Sequence, residues 1–468
     1  ENNKYQGGSL VNNIIQQICE NYISEILNFF DTDIIRTLDE METELKKKTD
    51  NYIRIMIKTY LEGLDEAIAE DKASRKKKGY VVEQKAVKRE IYTQFGSLEF
   101  NRRYYINKLN GTYSYLVDKV VGIESYDRVS ASVSAALVES ASEMSYAKSS
   151  KYVCNGDISR QTVMNKIRRT KELKVEVPEE KRKVRYLNVE ADEDHVSLQD
   201  GTDTVVPLIS IHEGVERIGK RGKCINIHHI SSHGKSIEDI WQEAAEWIYA
   251  VYDVDKIEKI YLHGDGATWI KTGLSYLPKV QFVLDRYHLN KAIKEVSRGD
   301  ELVCAKLKDA VTEADKEYLR EICRELRKNA ENEKVKEKVD NFRNYIITNW
   351  DGIVAYQEEG SRGSNTEGHV SHVLSSRLSS RPSGWSRGGL KAMAELRAYC
   401  CSGGHIGTKH IKKSEESYKV TKKILNKVSK SYRIASKEMI HNITVLNNGK
   451  VSQLYRVLRS IKNSGYII

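Results

Sequence analysis

Across residues 9–75 apolar side chains recur at three- and four-residue spacing, among them Leu10, Ile14, Ile18, Tyr22, Ile26 and Phe30. Glu, Lys and Asp fill the other face and no proline intervenes. This period predicts an amphipathic helical region, packed on its own domain or serving as a dimerising arm. Arg75-Lys76-Lys77-Lys78-Gly79 reads as a linker. The period then changes to two. Ile91, Thr93 and Phe95 alternate before Gly96, and Leu98, Phe100, Arg102 and Tyr104 after it. Asn110-Gly111 separates Tyr-rich runs, a strong hairpin signal. The expectation is a small meander carrying basic residues such as Arg102 and Arg103.

Residues 129–170 return to the helical period. Ser145–Val153, the turn from Cys154 to Asp157, and Ser159–Arg169 read as helix, turn, helix. Ser159 suits an N-cap, with Ile158 and Val163 at the positions of a hydrophobic staple. Arg160, Gln161, Asn165, Lys166, Arg168 and Arg169 on the second helix suit phosphates and base edges. An ordinary helical hairpin is the plain alternative.

A charged connector, Lys171–Lys183, precedes a change of texture. Val184–Ala191, Val205–Ile211 and Lys223–His228 read as three strands. Ile237–Val251 reads as a helix with Ile237, Ile240, Trp241, Ala244, Ile248 and Val251 on one face. Ile257–Leu262 and Val280–Leu284 read as two further strands, leading into Asp265 and Asp285. Three strands in succession, then alternating helix and strand, indicate a mixed α/β sheet, and the order fits a ribonuclease-H-like arrangement. Residues 286–355 are Lys/Glu-rich and helical in pattern, and 361–390 are rich in Ser, Arg and Gly. The expected division is 1–78, N-terminal helices; 79–128, a small β-rich segment; 129–183, the helix-turn-helix-like region and connector; 184–299, the α/β core; 300–360, a helical insertion; 361–400, a final core helix and loop; and 401–468, a basic helical tail.

Composition narrows the class. The 468 residues exceed one simple core, so two to four domains are expected. No apolar run approaches a membrane span of roughly 20 residues. The net charge of +10 suits a polyanionic partner. Most of the excess lies late, with 17 Lys/Arg against 4 Asp/Glu from Ser386 onward. The seven cysteines are odd in number and form no C-x-x-C pair, which argues against a disulfide framework and favours a reducing, cytoplasmic setting. No secretory signal is read ahead of Ser9. His228, His229 and His233 lie close together, but a zinc site there would lack nearby thiolates.

Three acidic stretches carry the candidate chemistry: Glu190-Ala-Asp192-Glu193-Asp194-His195, His263-Gly264-Asp265-Gly266 and Asn365-Thr366-Glu367-Gly368-His369. Acids at the ends of two strands and on a later helix suit a two-metal phosphoryl-transfer site, which needs hard anionic ligands. Turn formation and capping are the plain alternatives. Glu190, Asp192 and Asp194 share one face of an extended chain, and Asp192 is preferred because it ends the apolar run. Asp285-Arg-Tyr-His288 places an acid and a histidine on one helical face; Asp285 either caps that helix or orients a metal ligand through His288.

The order Asp192-x-x-His195-Val196, Gly264-Asp265-Gly266-Ala267, Asp285-Arg-Tyr-His288-Leu-x-Lys291, Asn365-Thr366-Glu367 resembles the DDE transposases of bacterial insertion sequences. It is most similar to the Mutator-related ones, which carry a C/D-x-x-H signature before the last acid. The text of Tyr261–Thr268, Gln281–Ala292 and His369–Gly389 looks like a group catalogued as an uncharacterised UPF transposase-like family. The resemblance covers residues 85–400. It implies a ribonuclease-H-like core with a helical insertion and two Mg²⁺ or Mn²⁺ ions held by Asp192, Asp265 and Glu367. Asp285 and His288 would be the auxiliary pair.

The expected function is therefore cutting and joining of DNA by a transposase. Double-stranded element ends and target would be its partners, and the chain would act as a homodimer or larger assembly on DNA. Arg377, Arg381, Arg387 and the basic tail would neutralise phosphates. Rival expectations are a captured, non-catalytic DNA-binding protein and a nuclease that cuts without joining.

Overall fold

In the computed structural model of the chain, the described residues are 6–31, 34–171, 173–218, 221–358, 360–361, 364–381, 384–411, 418–441 and 455–456. The chain divides into two units, residues 1–135 with 411–468, and residues 136–410.

The first unit contains α1 (Gln6–Phe30), α2 (Leu38–Glu70), α3 (Lys72–Lys77), a three-stranded antiparallel sheet of β1 (Tyr80–Thr93), β2 (Gly96–Asn107) and β3 (Tyr113–Ser114), and α4 (Leu116–Val121). A capping box starts α2: Thr37 Oγ1 accepts from the Glu40 amide and the Glu40 carboxylate accepts from the Thr37 amide. Leu61, Leu64 and Ile68 of α2 pack against Ile91, Leu98, Phe100 and Tyr105 of the sheet.

Two expectations need correction in this unit. Among the described side chains of α1, Ile15, Cys19 and Phe29 are buried, whereas Ile14 and Phe30 are exposed. A strict four-residue spacing drifts by about 40° per step around a helix of 3.6 residues per turn, so it cannot stay on the buried face. The expected linker at Arg75 is helical, and Arg75 is buried with its guanidinium donating to the Tyr80 carbonyl at 2.9 Å. Arg102 and Arg103 lie on β2 as expected; Arg102 is buried and paired with Asp118, and Arg103 pairs with Asp65 and Glu66.

The second unit takes in the end of α5 (Ala131–Glu143), then α6 (Tyr146–Cys154) and α7 (Arg160–Arg169). Ser145 and Ser159 cap the last two, accepting from the amides of Lys148 and Thr162, and Asn155 ends α6 in a left-handed conformation. Val163 is fully buried, so the helix, turn and helix form where the sequence puts them.

A mixed five-stranded sheet comes next, giving an α/β architecture. Its strands are β4 (Tyr186–Ser197), β5 (Asp203–His212), β8 (His228–Ser231), β9 (Lys259–Gly264) and β10 (Val280–Leu284), in the order β10-β9-β4-β5-β8. The separate hairpin of β6 (Val215–Ile218) and β7 (Arg221–Cys224) interrupts them in sequence. β4, β5 and β8 pair antiparallel; β4, β9 and β10 pair parallel. The expected single strand at Lys223–His228 is two strands, because Asn226 takes a left-handed φ of 51° and breaks the run. β4 runs beyond Ala191 to Ser197, since its polar end pairs with β5 from Asp192↔Leu208 to Ser197↔Asp203.

Alternation along β4 divides the sheet's two faces. Leu187, Val189 and Ala191 enter a core shared with α8 (Ile237–Val251). Ser236 caps α8, and Ile240, Trp241, Ala244, Ile248 and Val251 are its buried stripe. Trp241 is fully buried and donates its indole N–H to the Trp269 carbonyl at 2.8 Å. A Trp241→Ala variant is expected to lose about 3–5 kcal/mol of stability, measured by urea unfolding. The sequence between β10 and residue 357 is helical: α10 (Arg286–Ser297), α11 (Glu301–Thr312), α12 (Lys316–Lys328), α13 (Glu333–Thr348) and α14 (Trp350–Val354). Apolar residues from these helices, among them Leu289, Leu307, Leu319, Phe342 and Trp350, join the same core. No helix among the described residues is long and apolar enough to cross a membrane.

Candidate functional site

The opposite face of β4 is a row of polar side chains: Asn188, Glu190, Asp192 and Asp194. Against it lies a helical run made of a short α-helix (Thr366–Val370), a π-helical turn (Ser371–Ser375) and one further turn (Ser376–Leu378). The π turn removes regular i→i−4 bonds, and Arg397, itself buried, donates to the carbonyls of His372 and Val373 at 2.5 and 2.8 Å.

Two of the three acids on this face of β4 are committed to this run. Glu190 is 3% exposed; it accepts from the Asn365 amide at 3.0 Å and meets His212 Nε2 at 3.1 Å. Asp194 is 6% exposed and accepts from the hydroxyls of Ser375 and Ser379, both at 2.9 Å. Asp192 lies between them and is half-buried. Its hydrogen bond is local, from the Glu193 amide at 2.9 Å.

Asp192, His288 and Glu367 come together. Each can place one donor atom within 4.8 Å of the others. Asp265 comes directly after β9, the strand beside β4, and its charge acts on both Asp192 and His288. Burial first, then the neighbouring charges of Asp265 and Glu193, push the Asp192 carboxyl up to about 6. Asp265 Oδ1 accepts from the Ala267 amide at 2.8 Å, the Asx-turn geometry of the plain alternative, and this leaves its second oxygen outside that bond. Gly266 makes this turn possible with φ of 92°; a Cβ there would lie 2.5 Å from Asn349 Oδ1. Gly266→Ala is expected to cost about 1–3 kcal/mol, read by thermal unfolding.

Asp285 is 2% exposed and gathers five donors. It caps α10 through the Tyr287 and His288 amides, holds the His288 ring at 3.1 Å through Nδ1, and accepts from the Ser364 and Thr366 hydroxyls. Burial would raise its carboxyl, but the bonds from His288, Ser364 and Thr366 outweigh this and hold it well below the usual range. The His288 imidazole is raised, chiefly by its bond to Asp285. Capping and orientation of His288 thus coexist in one residue. His195 is exposed and stands apart from this cluster.

The expected DNA-facing residues divide in two. Arg160, Gln161, Arg168 and Arg169 are exposed or partly so, as is Asn165, whereas Lys166 is buried. Lys166 points inward because the helix period sets it beside the buried Val163 and Ile167. Arg377 is held internally, donating to the Ala141 carbonyl at 3.0 Å with its guanidinium over the Tyr146 and Trp385 rings. Arg381 and Arg387 are on the surface, and Arg387 meets Asp200 at 3.4 Å. Of the basic tail, 412–417, 442–454 and 457–468 lie outside the described residues; Lys422–His441 is helical.

Sequence reasoning missed a second cluster, His212, Cys224 and His369, whose donor atoms also lie within 4.8 Å of one another. No spacing signal announces it, because its members come from β5, β7 and the helix that carries Glu367. His228 instead stacks on Trp247, and His229 meets Ser210. All seven cysteines are free thiols.

Residues 32–415 match the model of a family described as "Uncharacterised protein family (UPF0236)". The chain is 43% identical to two UPF0236 proteins of Caldanaerobacter subterraneus subsp. tengcongensis over 96% of its length, covering 97% of each relative. The name of one of these joins eleven loci of that organism, and that of the other joins four. A UPF0236 protein from the vanSb 3′ region of Streptococcus gallolyticus is 26% identical over 77% of this chain and 82% of its own length.

Proposed function

We propose that this chain, which belongs to the uncharacterised protein family UPF0236, is a DNA transposase with a ribonuclease-H-like core and an Asp192, Asp265, Glu367 triad. The observation that carries the reading is the convergence of Asp192 and Glu367 on His288, from segments far apart in sequence. The sheet supports it: three antiparallel strands continued on one side by two parallel ones, with Asp192 on β4 and Asp265 directly after the neighbouring β9. The multi-locus names of relatives support it too, since a sequence carried at many loci of one genome is what a self-copying element leaves behind.

The donor set fits a divalent cation. Two carboxylates supply hard oxygen, and the imidazole nitrogen suits Mn²⁺ better than Mg²⁺. Bound ions would supply activation of the attacking oxygen and stabilisation of the leaving one. The protein's own part is placement. Asp285 holds the His288 ring through Nδ1, which leaves Nε2 as the nitrogen available to a metal. It also holds Thr366, the residue beside Glu367. Glu190 and Asp194 anchor the surrounding run to β4, so that Glu367 is presented from a fixed backbone.

The test is incubation of the purified protein with the ends of its own element and Mn²⁺. Cleavage at those ends followed by joining supports the proposal. Cleavage without joining favours a nuclease, and binding without cleavage a DNA-binding protein. The exposed residues of α7 are the proposed readers. Arg160→Ala or Gln161→Ala should lower the preference for element ends over random duplex by about 1–3 kcal/mol, measured by competition binding. Equal weakening on both DNAs would reduce α7 to phosphate contact.

A further inference from the structure

The second cluster is built differently from the first. His212 sits on β5 and is 2% exposed, Cys224 ends β7, and His369 is on the helix of Glu367; Glu190 of β4 adjoins them. Cys224 Sγ lies 3.7 Å from His369 Nε2, His369 Nε2 lies 3.5 Å from Glu190 Oε2, and His212 Nε2 lies 3.1 Å from Glu190 Oε1. Tetrahedral zinc with Zn–S near 2.3 Å and Zn–N or Zn–O near 2.0–2.1 Å separates its ligand atoms by roughly 3.3–3.6 Å. The Cys224–His369 and His369–Glu190 separations lie near that range, and His212, Cys224 and His369 can each place a donor atom within 4.8 Å of the others.

His212 is oriented from behind: its Nδ1 faces the Gly214 carbonyl at 3.2 Å, the kind of partner that commonly fixes a ligating imidazole. We propose that His212, Cys224, His369 and Glu190 form a structural zinc site that clamps the β6–β7 hairpin and the helix of Glu367 to the sheet. Soft thiolate together with imidazole selects zinc over Mg²⁺ or Mn²⁺, so this site and the triad would take different metals.

The experiment is metal analysis of the full chain after dialysis, followed by replacement with Co²⁺. Stoichiometric zinc is expected, as are a near-ultraviolet thiolate-to-cobalt band and strong visible bands of tetrahedral cobalt. Cys224→Ser should remove the thiolate band, while Cys401→Ser, from the vicinal pair Cys400-Cys401, should keep it. Zinc-free protein whose cobalt form lacks the thiolate band overturns the site, and this reading stands even when Cys224→Ser does not fold. A band that survives Cys224→Ser also overturns it. Neither readout involves DNA cleavage, so failure here leaves the proposed transposase activity untouched.

Discussion

Asp192→Asn is expected to abolish the proposed Mn²⁺-dependent cleavage of element ends and to leave the fold intact. The loss should exceed about 100-fold, because replacing even a residue behind a metal ligand costs 10–100-fold. Asp192 accepts a local hydrogen bond from the Glu193 amide and is half-buried, so its removal deprives the interior of little. Asp265→Asn should behave alike. Glu190→Gln and Asp194→Asn should show the reverse, a lowered melting temperature from buried bonds weakened. The comparison is melting temperature against cleavage rate for all four proteins. Wild-type cutting by Asp192→Asn would sink the triad, and a loss confined to Glu190→Gln or Asp194→Asn would move the ligand along the strand.

Asp285→Ala carries the second large effect, on stability and activity together. A cap alone is worth about 1 kcal/mol. Asp285 is a cap that also holds an imidazole and two hydroxyls in a buried setting, and removing one partner of such a charged network costs about 3–5 kcal/mol. His288→Ala should separate the two roles. It removes one of the five bonds to Asp285, so the melting temperature stays close to wild type, while cleavage falls at least about tenfold. A stability loss near 1 kcal/mol for Asp285→Ala would reduce it to a cap, and wild-type cleavage by His288→Ala would remove that ring from the site.

What was legible in the sequence was local. The cap at Ser159, the burial of Val163 and the stripe on Ile237–Val251 depend on residues within a few positions of each other, and the structure has them as read. So does β10, from Val280 to Leu284, with Asp285 capping α10. Misreadings came where a distant partner or a backbone sign decided. The strand read as ending at Ala191 runs on to Ser197, because pairing with β5 holds its polar end extended. Asn226 broke an apparent strand with a positive φ that composition does not announce. Lys166 and Arg377 looked like phosphate ligands because they are basic, but one is buried and the other stacks between aromatic rings. In the site, the acids were visible as motifs. Their division of labour was not, because Ser364, Thr366, Ser375 and Ser379 reach them from far along the chain.

Asp285 stands at the point where the helical insertion leaves the sheet, and it grips Ser364 and Thr366 where the chain returns. Entry and exit are thus buttoned together by one carboxylate, and everything between them is a closed excursion. Lengthening such an excursion at its tip adds little closure entropy and no displacement at the button. The exposed turn between α12 and α13 at Asn329–Asn332 is therefore a permissive place to graft a reporter or a foreign domain, because Glu367 would not register the added length.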